Sequence, residues 1–246
     1  MSIGNAARVT VRELRSALDR QLTPDAARWL ATALTEVAAE PDLALPRRFA
    51  EAGRRGGRAL LAAAPAPHQD PPPAVPAEAL AWTVDDAVRA LLLAAAPAPA
   101  DGPADRASTV YRHGDAAERR GVLRALGPLD LLGPYGLRDD AVPLVSDALR
   151  TNDPRLLAAA LGPYGARHLP AHAYREAVLK CLHCSVPLRA VAGLPHRTDA
   201  ELARMAATHA RELTSAGRPV PGDVRALAGP RPTATDPLPP PHPAGT

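Results

Sequence analysis

The chain has 246 residues, 46% of them hydrophobic but only 3% aromatic, and a net charge of +3. That length is enough for one domain with a substantial core; the poor supply of aromatic and isoleucine side chains argues against a sheet protein, and so mild a charge, without a long basic run or interleaved aromatics, favours a solvated helical surface over a nucleic-acid groove. Two cysteines three residues apart exclude a disulfide framework, no signal peptide is visible at the N-terminus, and the longest apolar run, Ala90 to Ala96, is too short to span a bilayer, so a cytoplasmic protein that does not cross a membrane is expected.

Leucine, alanine, arginine and glutamate all favour helices. Thr10 followed by Glu13 reads as a capping box, with Leu14 and Leu18 behind it on one face. Thr23-Pro24-Asp25 supplies an N-cap, a proline at the first helical position and an acid in the first turn. That helix is expected to run to about Glu40 with Trp29, Leu30, Leu34 and Val37 inward. Pro46 to Gly57, rich in Arg and Gly, reads as irregular, followed by a short apolar helix through Leu60 and Leu61. Residues 65–80 read as an internal proline-rich linker. Thr83 caps a helix carrying Val84, Ala87, Val88, Leu91 and Leu92; Pro97 to Pro103 breaks the chain again; Asp115 and Glu118 cap a helix that Gly127 ends.

Further on, Asp153-Pro154 starts a helix that stops at Gly162, and Thr198 caps the longest late helix, with Leu202, Met205, Ala206, His209 and Leu213 inward. Residues 230–246 read as a disordered proline-rich tail. The run Leu132-Gly133-Pro134-Tyr135-Gly136 recurs as Leu161-Gly162-Pro163-Tyr164-Gly165, 29 residues later, a period that suits stacked helical pairs. The expected fold is all-α: antiparallel helical pairs in a HEAT-like superhelix, forming one domain over residues 8–229.

Lys180 is the only lysine beside 28 arginines, and it sits in Leu179-Lys180-Cys181-Leu182-His183-Cys184 with both cysteines. A compact ammonium that titrates readily is something a guanidinium cannot imitate. As metal ligands, Cys181 and Cys184 share a helix face but His183 does not, and a structural zinc site needs four ligands, so no metal is expected. No Gly-rich phosphate loop, G-x-S-x-G or H-E-x-x-H is present, and no cofactor or catalytic constellation is expected. What accumulates is a set of cations near helix ends: Arg150 with Asn152, Lys180, Arg197, Arg204 paired with Glu201, and Arg218. Singly, each reads as a dipole partner or a surface ion pair. Together they read as a ligand-binding set for a carboxylate or phosphate, which guanidinium forks grip bidentately.

The residues Arg150-Thr151-Asn152, Val178-Leu179-Lys180, Val186-Pro187-Leu188, Gly193-Leu194, Arg197, Glu201-Leu202-Ala203-Arg204-Met205, Ala216-Gly217-Arg218-Pro219-Val220 and Leu227-Ala228-Gly229 together resemble the EboA family. Looser matches lie around Leu22 to Leu34, at Pro46-Arg47-Arg48-Phe49, and at Trp82-Thr83-Val84-Asp85 with the following leucines. The resemblance implies a bacterial gene cluster that also encodes a UbiA-type prenyltransferase, a TatD-like hydrolase, a sugar-phosphate-isomerase-like protein and a dehydroquinate-synthase-like protein. It implies a role in making or moving a secondary metabolite. This chain departs from the family's usual pattern at Gly162-Pro163-Tyr164-Gly165, at Arg175-Glu176-Ala177, and at His183 and Cys184, where bulky apolar residues are usual.

The expected function is therefore an accessory protein, a scaffold or carrier that binds a pathway enzyme or a polar or prenylated intermediate, including a small anionic metabolite. Two alternatives stand beside it: an enzyme acting on a cyclitol- or sugar-like substrate through Lys180, and a helical array binding nucleic acid.

Overall fold

The computed structural model describes residues 8–62, 81–98, 102, 104–132 and 136–229. The expected 65–80 linker, the middle of the 97–103 break, the centre of the first Gly-Pro-Tyr-Gly copy and the 230–246 tail lie outside them. The described residues are all-α apart from antiparallel bridging of Leu60 with Thr83. They fall into two compact units, the first ending at Arg197 and the second beginning at Thr198.

The first unit opens with α1 (Val11–Gln21), α2 (Pro24–Ala39) and α3 (Pro41–Arg55). The capping box at Thr10 and Glu13 is formed, and Thr23 accepts from the Ala26 amide. In α2, Ala33 joins Leu30 and Val37 in the core, while Trp29 and Leu34 are half-buried.

The irregular Pro46–Gly57 stretch is a misreading: the segment belongs to α3, with Pro46 inside the helix. A proline removes one intrahelical bond, here the one the Asp42 carbonyl would accept. Two things outweigh that loss. Leu45, Phe49 and Ala52 fall at helical spacing and are buried. The arginines that looked like breakers pair with acids instead: Arg48 Nη2 lies 2.7 Å from Glu36 on α2 and its Nη1 2.8 Å from Glu51, whose carboxylate also accepts from Trp29 Nε1 at 3.2 Å. The short helix expected at Leu60 and Leu61 is absent as well. That segment is extended, with the Leu61 amide donating to Trp82 O and the Val84 amide to Ala59 O, and the Gln21 side chain bonding Leu60 O and the Ala62 amide.

Helix α4 (Val84–Ala95) follows; ten of its twelve residues are buried, so it is the central helix on which α1, α2, α3 and α6 pack. Helices α5 (Asp105–His113) and α6 (Ala116–Asp130) come next. The Asp115–Glu118 capping box is present, but Gly127 does not end α6, which continues through Gly127 and Pro128 to Asp130. Its C-terminal half is buried against α8 and α9, and Gly127 faces Pro163, so packing holds the turn that local propensity would release.

Between α4 and α6 lies a sealed ion network. Asp85 Oδ2 is 2.6 Å from Arg89 Nη1, and Asp86 is bridged by Arg120 (Nε, 3.1 Å) and Arg124. Thr83 Oγ1 lies 2.6 Å from Asp85 and 2.8 Å from Asp86, so its single proton serves one carboxylate at a time, while Arg120 Nη2 donates to it at 3.2 Å. Arg124 also donates to the Ala81 carbonyl, and Arg89 Nε to Phe49 O at 3.3 Å. Burial alone would push the Asp86 carboxyl up; the Arg124 and Arg120 charges overcome this and hold it below its ordinary value.

The chain then makes α7 (Val142–Ala148), α8 (Pro154–Ala160), α9 (Pro163–His168), α10 (Ala171–His183), a 3₁₀ turn (Leu188–Ala190) and α11 (Leu194–Arg197). Asp130 pins the turn after α6 by accepting from the Leu137 amide (3.0 Å) and from Arg167 and His168 of α9. Tyr164 donates to Arg138 O at 2.6 Å. On α10, burial pushes the Cys181 thiol up to about 12, leaving it an inert packing group.

In the second unit, α12 (Ala200–Ser215) is capped by Asp199, whose carboxylate accepts from the Leu202 amide at 2.9 Å; Thr198, the expected cap, lies one residue too early. Leu202, Ala206, His209 and Leu213 are buried, and α13 (Gly222–Ala228) packs on α12 with Val224 and Leu227 inward.

Two measurements test the α4–α6 interlock. A Cβ built on Gly121 would lie 2.5 Å from Arg89 Cδ, and Arg89 cannot swing aside because Asp85 and Phe49 O hold its guanidinium. Gly121→Ala is expected to lower unfolding free energy by about 1–3 kcal/mol in urea titrations, the usual cost of overpacking. Asp86 titrates below its unfolded value, so its contribution is present above roughly pH 4 and is lost as pH falls through the lower folded value. Asp86→Asn should cost about 3–5 kcal/mol near neutral pH, because two buried guanidinium groups lose their partner. It should also flatten the acid limb of stability below pH 4 relative to wild type.

Candidate functional site

The C-terminal cations expected to bind a ligand are distributed over several helix ends. On α10, the half-buried Lys180 donates from Nζ to Leu149 O, 2.7 Å away, at the C-terminus of α7. This brings the ammonium beside the turn that carries Arg150 and Asn152, both exposed. Arg197 is placed differently. Its Nη1 and Nη2 donate to Ala166 O (2.7 Å) and Leu169 O (2.8 Å) at the C-terminus of α9, and its guanidinium stacks 4.2 Å from the Tyr174 ring centroid. Tyr174 precedes Lys180 by six residues on α10, about 9 Å of helix rise, so the two cations meet that helix at different heights. Burial raises the Tyr174 hydroxyl to about 12, and it donates to Ala192 O at 2.6 Å. In the second unit, Glu201 and Arg204 form an exposed bidentate pair at 2.7 and 2.8 Å, and Arg218 is exposed in the turn after α12.

A concave surface lies elsewhere in the first unit, between α3 and α5. It consists of a cavity of about 250 Å³ and an adjoining one of about 120 Å³, both lined by Pro46, Thr109 and Val110, which make them two ends of one groove. Phe49 and Val110 form its buried floor, and Ala50 an open wall. Helix α5 was not anticipated from the sequence. Its acid in the first turn, Asp105, its basic last turn, Arg112 and His113, and the buried Ala107, Val110 and Tyr111 are the ordinary marks of a short helix. Tyr111 anchors it by donating to Asp147 on α7 at 3.0 Å.

The two ends of the groove differ in chemistry. At the wider end His113 Nδ1 is 2.9 Å from Thr109 O, an atom that can only accept, so Nδ1 carries a proton and Nε2 is the ring nitrogen left for another partner. Glu118 stands beside it, with one oxygen accepting from the Asp115 amide at 2.8 Å. At the narrower end Arg106 reaches the exposed Asp42 only loosely, Nη2 to Oδ1 at 3.4 Å. Its Nε and Nη1 are buried without any acceptor among the described residues. Leaving buried charged donors unmet is expensive, more than about 1–3 kcal/mol each. None of these residues was singled out from the sequence for binding. The only available signal was the basic last turn and acidic first turn of 105–113, which marks a helix rather than a site.

What the described residues define is an all-helical protein whose α4–α6 charges are paired with one another and which carries an apolar groove with a polar rim between α3 and α5. The family model described as "Metabolite traffic protein EboA" matches residues 10–229, most of the chain, and the protein belongs to the EboA family. No curated protein and no solved structure matches it. No helix among the described residues is long and apolar enough to cross a membrane.

The carbonyl contacts of Arg197 and Lys180 predict a graded loss of stability. Arg197→Met should cost roughly 2–3 kcal/mol, since it removes two charge-assisted bonds and a stacked guanidinium, and Lys180→Met about 1–2 kcal/mol for its single bond. Equal losses in denaturant titrations would contradict this assignment.

Proposed function

We propose that this EboA-family chain is an accessory protein of a metabolite pathway, a carrier or scaffold rather than the catalyst of a step. The observation that carries this reading is the α3–α5 groove. It joins an apolar floor to a rim of single polar groups, and a receptacle for an amphiphilic molecule requires that combination. The strongest polar assembly, the Asp85–Asp86–Arg89–Arg120–Arg124 network, is sealed from solvent and its charges face one another. That favours a rigid support.

Pathway enzymes of the same cluster, such as the UbiA-type prenyltransferase, the TatD-like hydrolase and the sugar-phosphate-isomerase-like protein, are the proposed macromolecular partners. Of the C-terminal set, Arg150 and Asn152 in the first unit and Glu201, Arg204 and Arg218 in the second are exposed, and these are proposed to meet such a partner or an anionic ligand. Lys180 and Arg197 join them only by giving up a backbone carbonyl. A Lys180 Schiff base would likewise have to break the bond to Leu149 O before the amine could attack a carbonyl.

Purification of the chain from cells producing the pathway, followed by native mass spectrometry, is the test. A small molecule retained in about one-to-one ratio and released chemically unchanged is expected. Repeated turnover of that molecule by the purified chain alone, or a borohydride-trapped adduct on Lys180 that Lys180→Arg abolishes, would make the protein an enzyme.

A further inference from the structure

Building on the carrier reading, we infer that the α3–α5 groove binds an uncharged, hydroxyl-bearing amphiphile, with its apolar body on the Phe49–Pro46–Val110 floor and its hydroxyls at Arg106. Three observations choose this class.

The narrow end offers a loosely held donor and an exposed acceptor side by side: Arg106 Nη2 and the Asp42 carboxylate, 3.4 Å apart. The guanidinium has no stronger tie among the described residues: its other nitrogens, Nε and Nη1, are buried and have no acceptor there. On the facing helix, Pro46 lines both ends of the groove and has no N–H to compete for a ligand's acceptor. A hydroxyl oxygen accepts from the guanidinium while its proton is donated to the Asp42 carboxylate; a group that only accepts leaves the carboxylate unmet.

The charge at the rim points the same way. Asp42, Asp105 and Glu118 line the groove against the single guanidinium of Arg106, so a carboxylate or phosphate would meet more negative than positive charge. The groove thus differs in kind from the C-terminal arginines, whose chemistry suits an anion. His113 lines the other end with Nδ1 engaged by Thr109 O, and its remaining ring nitrogen takes a second hydroxyl.

The apolar part is equally defined. Phe49 and Val110 are almost wholly buried and form a fixed floor, whereas Ala50 leaves one wall open. The two adjoining volumes, about 250 and 120 Å³, suit a compact head with a short tail.

The experiment is isothermal titration of the full chain with n-hexyl β-D-glucopyranoside, with methyl β-D-glucopyranoside and n-hexyl phosphate as the arms that remove the tail or replace the hydroxylated head by an anion. The hexyl glucoside is expected to bind at least tenfold more tightly than either. Arg106→Met keeps an unbranched apolar stem but removes the donors, and is expected to weaken binding at least tenfold. Ala50→Trp fills the groove from its exposed wall, where no packing is lost, and is expected to abolish binding with an unchanged unfolding midpoint. The inference is overturned if wild type does not bind the hexyl glucoside. It is equally overturned if hexyl phosphate binds as well or better, or if both variants bind like wild type. A metabolite retained in the native mass spectrum despite any of those results would leave the carrier reading standing and move its site elsewhere.

Discussion

The folded first unit depends on one arrangement, the burial of Asp85, Asp86, Arg89, Arg120 and Arg124 between α4 and α6. Charges in such a place are tolerated only when each is paired and its remaining lone pairs and protons are met. Here the pairing crosses from helix to helix: Asp86 on α4 is held by two arginines of α6, and Arg124 also takes up the Ala81 carbonyl ahead of the α4 cap. The network therefore fixes the rotation and register of two helices whose apolar faces, rich in alanine and leucine, would permit others. In a chain with a single phenylalanine and few large side chains, shape complementarity alone gives less specificity, and directional bonds supply the remainder.

This network was illegible in the sequence for a definite reason. Asp85 and Asp86 stand in the first turn of a helix, where acids are ordinary dipole partners, and Arg119-Arg120 reads as a solvated pair. Partner choice over a separation of 34 residues is a tertiary fact, and periodicity records only which face is apolar. The caps were legible because they are local: the Thr10–Glu13, Thr23, Thr83 and Asp115–Glu118 signals all became helix starts. Breakers misled for the converse reason. Pro46, Gly127 and Pro128 disfavour a helix by fixed local amounts, and burial of Phe49 and of the α6 C-terminal half exceeds them. Leu60 and Leu61 looked helical only because their strand-like partner, Trp82 to Val84, lies across a proline-rich interval.

The late cations show how one chemistry serves two purposes. A guanidinium or ammonium near a helix C-terminus meets carbonyl oxygens that carry partial negative charge, and the geometry that would grip a carboxylate also grips a pair of carbonyls. Arg197 does this for α9 and Lys180 for α7. The sequence identified where cations and helix ends coincide; it held no information on whether the oxygen partner is the chain's own or a ligand's. Arg106 is the contrasting case. It lies at the start of α5, and two of its donors have no acceptor among the described residues.

Phe49 links the core to the groove. Its carbonyl accepts from Arg89 Nε, and the Arg89 guanidinium lies 5.5 Å from its ring centroid, so the residue is tied to the buried network. The same ring is the floor against which a ligand's apolar body would rest. A floor fixed from behind cannot collapse into the cavity when it is empty, and a groove that keeps its shape needs little reorganisation on binding. Pro46, one helical turn earlier, lines both ends of the groove, and its missing N–H leaves the Asp42 carbonyl without its i+4 donor. The local irregularity that made α3 hard to read from the sequence thus sits where the two ends of the groove meet.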